Sequence, residues 1–189
     1  MAAYGPGAMR IPFSAYAADC TVTGDVALEQ DRLSDFLAET EEFQIDEAAL
    51  RALDDGRIVK ADSAAIALDD LLVIAATGPR GLAQRRIWTR QYPVRARIGP
   101  YTVVGYLHAP STINPFKSAD RRAIVPITRA TIEYTVDGHV ARERADAVLL
   151  NRLKIDRLEP APESELGYLK GPELTPAVDP WSKDTTGAL

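Results

Sequence analysis

The sequence predicts a mainly β protein, built as a tandem duplication of a small β-barrel with about five strands in each repeat. Two alignments of the chain on itself lead to this prediction. The stretch T-V-T-G at 21–24 matches T-V-V-G at 102–105, an offset of 81 residues. After a one-residue insertion, an offset of 82 aligns the apolar and turn positions of 45–73 with those of 127–155. Because apolar and turn positions agree together, we interpret the match as duplication of one fold unit.

Each repeat is predicted to contain the same elements in the same order. An opening strand comes first, then a second strand that carries the aligned glycine, a variable insert, a hairpin and a closing strand. The elements of the first repeat, apart from the hairpin, are strands at 13–18, 20–28 and 65–75 and a short helix at 31–40. Those of the second repeat are strands at 94–98, 101–109 and 147–158 and a loop at 111–122.

The hairpin of each repeat is predicted from an Asp-Gly pair. In the second repeat, 128–136 reads TRATIEYTV, which is rich in β-branched and aromatic residues that favour strands. The Asp-Gly pair at 137–138 follows, and Asp-Gly is typical of a type I′ turn, which needs positive φ. The aligned segment 46–55 is rich in alanine and leucine and looks helical by itself. Its alignment with the second repeat nevertheless predicts strand, turn and strand, with the turn at 55–56.

The strand content and the composition of the ends together define the predicted domain organisation. Strand-rich units of this size usually close into small barrels, because closure removes exposed sheet edges. The two ends are rich in proline and glycine, so we expect extended tails there. The predicted parts are an N-terminal extension at 1–12, the first barrel repeat at 13–79, a basic aromatic connector at 80–93, the second barrel repeat at 94–158 and a proline-rich C-terminal arm at 159–189.

Charge is divided between the two repeats. Residues 1–79 carry 5 basic and 15 acidic side chains, a net charge of −10, whereas residues 80–157 carry 15 basic and 6 acidic side chains, a net charge of +9. The acidic pairs at 41–42 and 69–70 are expected to be solvated charges. Opposite charge on two related units indicates that they face different neighbours or each other.

The sequence contains no motif of a known enzyme class. It lacks the phosphate-binding P-loop, G-x-G-x-x-G, G-x-S-x-G and H-E-x-x-H. His108 and His139 are expected to be solvent-facing strand residues, and Cys20, the single cysteine, a buried and inert thiol. Two histidines without a cysteine cluster do not make a zinc-site pattern. We therefore predict a protein that is not an enzyme and uses no metal or cofactor.

The location of the protein is predicted from hydropathy. No apolar run approaches the ~18–20 residues that a membrane-spanning helix needs. The N-terminus also lacks the basic start and the apolar stretch of a signal peptide. We expect a cytoplasmic protein without membrane insertion.

The strongest candidate binding feature is the segment 80–97, which is rich in arginine and aromatic residues and has no acidic residue. Arginines between aromatic rings suit single-stranded nucleic acid, through phosphate contacts and base stacking. They suit an acidic protein surface equally well, and they also fit a strand whose alternate arginines face water. The candidate partner-contacting residues of this segment and of the C-terminal arm are Arg80, Arg85, Arg86, Trp88, Arg90, Tyr92, Arg95, Arg97, Tyr168 and Trp181.

Parts of both repeats resemble an uncharacterised bacterial domain family. Its members carry an R-L-S-D-x-L stretch, a following F-x-x-h-T-D-A-like strand and a closing V-L-h-N-R-x-x-I strand, where h is hydrophobic. The first repeat reads R-L-S-D-F-L at 32–37 and E-F-Q-I-D-E-A at 42–48, and the second repeat closes with V-L-L-N-R-L-K-I at 148–155. Each repeat holds only part of the pattern, and the resemblance implies no activity.

More distantly, the predicted strand order is similar to that of Sm-like barrels. Sm-like proteins have a glycine in strand two and a closing h-R-G-x-x-I strand, and they bind RNA through residues that flank these motifs. Gly24 and Gly105 match the glycine, but the closing positions 68–71 and 150–153 read L-D-D-L and L-N-R-L and lack R-G. The resemblance therefore implies a small barrel without the RNA-binding site.

These observations favour a non-enzymatic interaction or assembly protein, a scaffold or accessory subunit. Two repeats of opposite charge can dock onto each other within a chain or head to tail between chains, and head-to-tail contacts give rings or filaments. A homo-oligomer or a larger assembly with a protein partner is therefore expected. The alternative is a nucleic-acid-binding protein that uses the segment 80–97 and the basic second repeat.

Overall fold

The computed structural model describes residues 9–30, 32–77, 89–162 and 165, and these residues form a mainly β structure, as predicted. The first half contains β1 (Met9–Ala17), β2 (Cys20–Leu28), α1 (Leu33–Glu39), β3 (Glu42–Ala52), β4 (Ile58–Ala67) and β5 (Leu71–Ala75). The second half contains β6 (Arg90–Ile98), β7 (Tyr101–Ala109), α2 (Pro115–Ala119), β8 (Ile124–Val136), β9 (His139–Asn151) and β10 (Arg157–Pro160).

All ten strands lie in one antiparallel sheet, in the order β10-β6-β7-β8-β9-β5-β1-β2-β3-β4. In each half the fifth strand returns to pair with the first, β5 with β1 and β10 with β6. The predicted closed barrels do not form. The reason is that β5 is flanked by β1 on one side and by β9 of the other half on the other side, so it has no free edge for β4. Among the described strands, β4 and β10 are the two open edges of the sheet.

Strand pairing is irregular at equivalent positions of the two halves. A Cβ atom on Gly24 would lie 2.6 Å from a backbone carbonyl oxygen of β3, and one on Gly105 would lie 2.8 Å from a backbone carbonyl oxygen of β8. Glycine is therefore needed where β2 and β7 approach their neighbours. At the same places Glu47 of β3 and Arg129 of β8 have positive φ angles of 50° and 49°. Both halves therefore share the same irregularity of strand pairing.

The second hairpin has the predicted turn, whereas the first has a different one. Asp137 and Gly138 have φ angles of 50° and 71°, and two positive values are what a type I′ turn needs. In the first half a longer loop, 53–57, joins β3 to β4. There the Asp55 carboxylate accepts a hydrogen bond from the N–H of Arg57 at 2.9 Å. This side-chain bond closes an Asx turn in place of the tight turn predicted at 55–56.

The different hairpins change the offset between the halves. Phe43 and Val125 are equivalent at the predicted offset of 82, and they pair with Ile66 and Leu150 respectively. Ile66 and Leu150 are therefore equivalent, which makes the offset 84 after the hairpin. The predicted offset fits the third strand and is wrong for the fourth and fifth strands. The reason is that the strands of the second hairpin are longer than those of the first, although its turn is shorter.

Helices and strand ends show further differences from the prediction. β1 already begins at Met9 and β6 at Arg90, within the predicted extension and connector. The predicted loop at 111–122 contains α2, whose N-terminus is capped by Asn114: its side chain accepts a hydrogen bond from the N–H of Phe116 at 3.0 Å. Asparagine before a first-turn proline is a typical helix start. Among the described residues no helix is long and apolar enough to cross a membrane; α1 has 7 residues.

Two apolar clusters lie within the sheet, one associated with each half. The cluster of the second half includes Tyr16 and Val73 from the first half, and the cluster of the first half includes Leu149 from the second. Strand β5 contributes to both clusters, since Val73 and Ile74 belong to different ones. The halves are therefore joined by apolar packing as well as by the pairing of β5 with β9.

Candidate interaction sites

The structure describes only part of the predicted binding feature. Arg90, Tyr92, Arg95 and Arg97 lie on β6. The remaining candidates lie outside the described residues, so their placement stays a prediction: Arg80, Arg85, Arg86, Trp88, Tyr168 and Trp181.

Strand β6 directs its later arginines away from the core. Its last three core-facing residues are buried, and Arg95 and Arg97 alternate with them on the opposite face. At the start of the strand, the guanidinium carbon of Arg90 lies 5.9 Å from the centroid of the Tyr92 ring, which is within cation–π range. The pattern of arginine beside an aromatic ring predicted for this segment is thus present at Arg90 and Tyr92.

Acidic residues of the same chain share this face with the arginines. Arg95 forms ion pairs with Glu159 at 3.7 Å and with Glu165. Arg157 of β10 pairs with Glu159 at 2.7 Å. Arg97 lies opposite Arg157 in the β6–β10 register, and both are exposed. The β10 edge is therefore a mixed but arginine-rich surface.

The opposite edge of the sheet is bordered by acidic residues. Asp69 and Asp70 are exposed on a short 3-10 helix, Leu68–Asp70, that follows β4 directly. Glu41 and Glu42 are also exposed, and the N–H of Leu68 donates to the carbonyl oxygen of Glu41 at 2.8 Å. The two predicted acidic pairs thus come together as solvated charges at one end of β4.

A cluster of three tyrosines joins the halves. Tyr16 of β1 meets Tyr101 of β7 and Tyr134 of β8 edge to face, with ring centroids 5.4 and 5.8 Å apart. The hydroxyl groups of Tyr16 and Tyr134 both donate to the carboxylate of Glu143 on β9, that of Tyr16 at 2.8 Å. The sequence comparison did not reveal this cluster, because none of the three tyrosines has a tyrosine at the equivalent position of the other half.

The hydroxyl groups of this cluster are held in the neutral form. Burial raises the pKa of all three tyrosines, and for Tyr16 and Tyr134 the hydrogen bond to Glu143 and its negative charge raise it further. The hydroxyl of Tyr101 donates to the carbonyl oxygens of Ala17 at 2.7 Å and Cys20 at 3.3 Å. These bonds tie the second half to the turn after β1.

The thiol of Cys20 is close to this turn. Burial raises its pKa to about 11, and the neighbouring charge of Asp19 also raises this pKa. The thiol is therefore protonated at neutral pH, and a protonated thiol is a poor nucleophile. The side chain is only partly buried, which differs from the expected full burial.

An open groove of about 1170 Å³ runs along the junction of the halves. His108 lines it and is half-buried, contrary to the prediction, whereas His139 is exposed as predicted. The His108 Nε2 atom lies 2.7 Å from the Thr128 hydroxyl, and its Nδ1 atom lies 3.1 Å from the Thr89 hydroxyl. Burial lowers the pKa of His108, and the charge of Arg129 lowers it further.

The hydrogen bonds of His108 give this residue a structural role, since both ring nitrogens have hydroxyl partners. In the part of the chain that the structure describes, no group of three or more histidine, cysteine, aspartate or glutamate residues could hold a metal ion. The groove has a mixed polar and apolar lining, in which Tyr16 donates to Glu143 and His108 contacts two hydroxyl groups.

Comparisons with known proteins do not assign this chain to a group: no family model, curated protein or solved structure matches it. Its function is therefore argued from the geometry alone.

Proposed function

We propose that this chain is a non-enzymatic interaction and assembly protein, a scaffold or accessory subunit. In this proposal two duplicated, five-stranded units present differently charged surfaces to their partners. The observation that carries the proposal is that the sheet ends in two open edges, β4 and β10, among the described strands. An open edge presents unpaired backbone N–H and C=O groups that pair readily with a strand of another chain.

The distribution of charge supports association through these edges. Exposed Arg97 and Arg157 lie at the β10 edge, and exposed Asp69 and Asp70 follow β4. Each exposed ion pair contributes only ~0–1 kcal/mol. Charge would therefore orient the contact, while backbone hydrogen bonds and apolar burial would stabilise it.

Self-association is expected to depend on salt. Sedimentation velocity at micromolar concentration should give a mean mass above that of the 20.6 kDa monomer in about 0.05 M NaCl. The mass should fall in about 1 M NaCl, where the Debye length is only ~3 Å. A monomer mass at both salt concentrations would contradict the proposal of self-association.

Charge reversal tests whether the arginines of the β10 edge orient this contact. The double variant Arg97→Glu, Arg157→Glu should be less associated than the wild type at low salt. Lys117→Glu, Arg121→Glu is a matched control, because it makes the same change in net charge at exposed positions in and after α2. Equal loss of association in both variants would show that only net charge matters.

Binding of single-stranded nucleic acid by the segment 80–97 is a second candidate function. It is favoured by the stacking of Arg90 on Tyr92 and by the exposure of Arg97. The wild-type protein should retard single-stranded RNA or DNA in a gel at low salt, and Arg85→Ala, Arg86→Ala, Arg90→Ala should weaken binding several-fold. Absence of retardation with the wild-type protein would exclude this function.

A further inference from the structure

Among the described strands, the pairing of β5 with β9 is the strand contact between the halves. A fifth strand of one half meets a fourth strand of the other, and the N–H of Ala76 extends the ladder by donating to the carbonyl oxygen of Ala147 at 2.9 Å. Most of the contact is buried, since Val73, Val148 and Leu150 are 0% exposed, whereas Ala75 is half-buried. Its register is Val73 opposite Leu150, Ile74 opposite Leu149 and Ala75 opposite Val148.

The two open edges among the described strands are also a fifth strand and a fourth strand. β10 is the fifth strand of the second half, and β4 is the fourth strand of the first half. The strand register shows which residues correspond. Ala75 pairs with Ser14, and Glu159 pairs with Arg95. Ser14 and Arg95 are equivalent in the β1–β2 and β6–β7 registers at an offset of 81, so Glu159 is the equivalent of Ala75.

The same reasoning applies to β4 and β9. Val148 pairs with Ile127 and Ala64 pairs with Ile45, and these partners are equivalent at the offset of 82. Ala64 is therefore the equivalent of Val148. If β10 paired with β4 in the way that β5 pairs with β9, Arg157 would lie opposite Ile66, Leu158 opposite Ala65 and Glu159 opposite Ala64.

Both open edges present the backbone groups that this register needs. Successive residues of a strand direct their N–H and C=O groups to opposite sides. The N–H of Ala161, just after β10, donates to β6, so Leu158 directs its backbone groups to the open edge. The N–H of Leu68, just after β4, donates to the segment before β3, so Ala65 also directs its backbone groups outward.

The side chains at the β4 edge are less buried than their equivalents on β9. Leu150 and Val148 are 0% exposed, whereas Ile66 and Ala64 are only half-buried although they pack against the apolar cluster of the first half. In the stated register Arg157 and Glu159 lie opposite Ile66 and Ala64, so the aliphatic parts of these two side chains would cover part of this apolar surface. Burial of apolar surface stabilises such a contact.

We propose that β10 of one chain pairs in antiparallel fashion with β4 of a second copy of the chain, in the register given above. This inference rests on the proposed assembly function and specifies its partner and its contact surface. The contact joins two different surfaces, so each added chain again leaves one β4 and one β10 edge open. Repetition of such a contact gives a ring if the rotation closes and a filament if it does not.

Three differences make this contact weaker than the internal one. Charged Arg157 and Glu159 stand where β5 has the apolar Val73 and Ala75. Pro160 is the equivalent of Ala76 and has no N–H to extend the ladder. In the internal contact the Asn151 side chain donates to the carbonyl oxygen of Leu71 at 3.3 Å, but the equivalent of Asn151 on β4 is Ala67. The contact between chains therefore has fewer hydrogen bonds and should dissociate on dilution or in high salt.

Disulfide trapping between two singly substituted chains tests the register. Residues 64 and 159 form a non-hydrogen-bonded pair in it, with an expected Cα separation of ~4.5 Å, which suits a disulfide. Ala64→Cys and Glu159→Cys are made separately, each with Cys20→Ser, and mixed under mild oxidation. A covalent dimer is expected from the mixture, whereas neither variant should form one alone.

Ala61→Cys is the matched control, because Ala61 is exposed on the same strand but lies ~10 Å along it from position 64. It should not form a dimer with Glu159→Cys. A dimer of Ala64→Cys with itself, or equal dimer formation by the control, would overturn the proposed contact. Salt-dependent association without trapping at 64 and 159 would overturn the contact and leave the assembly function standing, whereas a monomer under all conditions would overturn both.

A proline substitution tests the same contact without cysteine. Ala65→Pro removes the outward N–H of β4 and should abolish self-association at low salt, since proline blocks edge pairing. Lys60→Pro also removes an outward N–H of β4, because the carbonyl oxygen of Arg57 accepts from the N–H of Ala52 in β3 and Lys60 lies three residues further along the strand. It lies beyond the proposed register and should associate like the wild type. Unchanged association of Ala65→Pro would contradict the proposal.

Discussion

Replacing Gly24 by alanine is expected to lower the free energy of unfolding by about 3 kcal/mol, the upper part of the range for overpacked sites. The new Cβ atom would lie 2.6 Å from the carbonyl oxygen of Asp46 and would also contact the Ile45 side chain. The oxygen belongs to the backbone of a paired strand, so it cannot move aside without disturbing the pairing of β2 with β3. Gly105→Ala should have a similar effect in the second half, where the equivalent distance is 2.8 Å.

Urea unfolding followed by circular dichroism measures this effect, and Gly138→Ala is its control. Gly138 has a φ angle of 71°, and a Cβ atom there would have no neighbour within 4 Å. Alanine at this turn adds only backbone strain, about 1 kcal/mol. If Gly24→Ala were no more destabilising than Gly138→Ala, the close approach of β2 to β3 would not be a constraint on the fold.

Raising the pH above about 10 is expected to destabilise the protein steeply. In the folded state the pKa values of Tyr16, Tyr101 and Tyr134 are raised, mainly by burial. Below the unfolded pKa both states are protonated and this contribution to stability is complete. Above it the unfolded state loses protons while the folded state keeps them. Stability therefore falls by about 1.4 kcal/mol per pH unit for each tyrosine, until the folded pKa is reached.

The free energy of unfolding, measured in urea between about pH 8 and about pH 11, tests this expectation. Tyr134→Phe removes one ionisable group of the cluster and should make the alkaline decline less steep. Tyr92→Phe, on β6 and outside the cluster, is the control and should leave the slope unchanged. A free energy of unfolding that stays constant over this range would show that the cluster is not linked to folding.

The extent of the sequence prediction is clearest at the two hairpins. At 137–138 the turn follows directly from the local residues, because aspartate and glycine tolerate the positive φ values that a type I′ turn needs. The same residue pair at 55–56 stands in a loop, since the Asp55 side chain bonds to the chain two residues later. The turn that forms depends on the length of the two paired strands. This length is a property of the whole hairpin and is not set by the Asp-Gly residues.

The candidate sites could be predicted only in part. Arg90 and Tyr92 were found because they are close in sequence, and they contact each other in the structure. The tyrosine cluster with Glu143 escaped prediction because Tyr16 and Glu143 are 127 positions apart. Only the pairing of β5 with β9 brings the strands that carry them together.

The strand-rich class, most of the strands and the two glycines beside the irregular pairing of β2 and β7 follow from the residues alone. These are local properties, set by side-chain size, turn conformation and the alternation of apolar residues. Whether the strands close into two barrels or remain one open sheet follows from the pairing of strands in three dimensions. That outcome depends on whether β4 or β9 pairs with the second edge of β5. The pairing with β9 joins residues that are far apart in the sequence. Because β9 takes this edge of β5, the halves are joined, and β4 and β10 are the two open edges among the described strands.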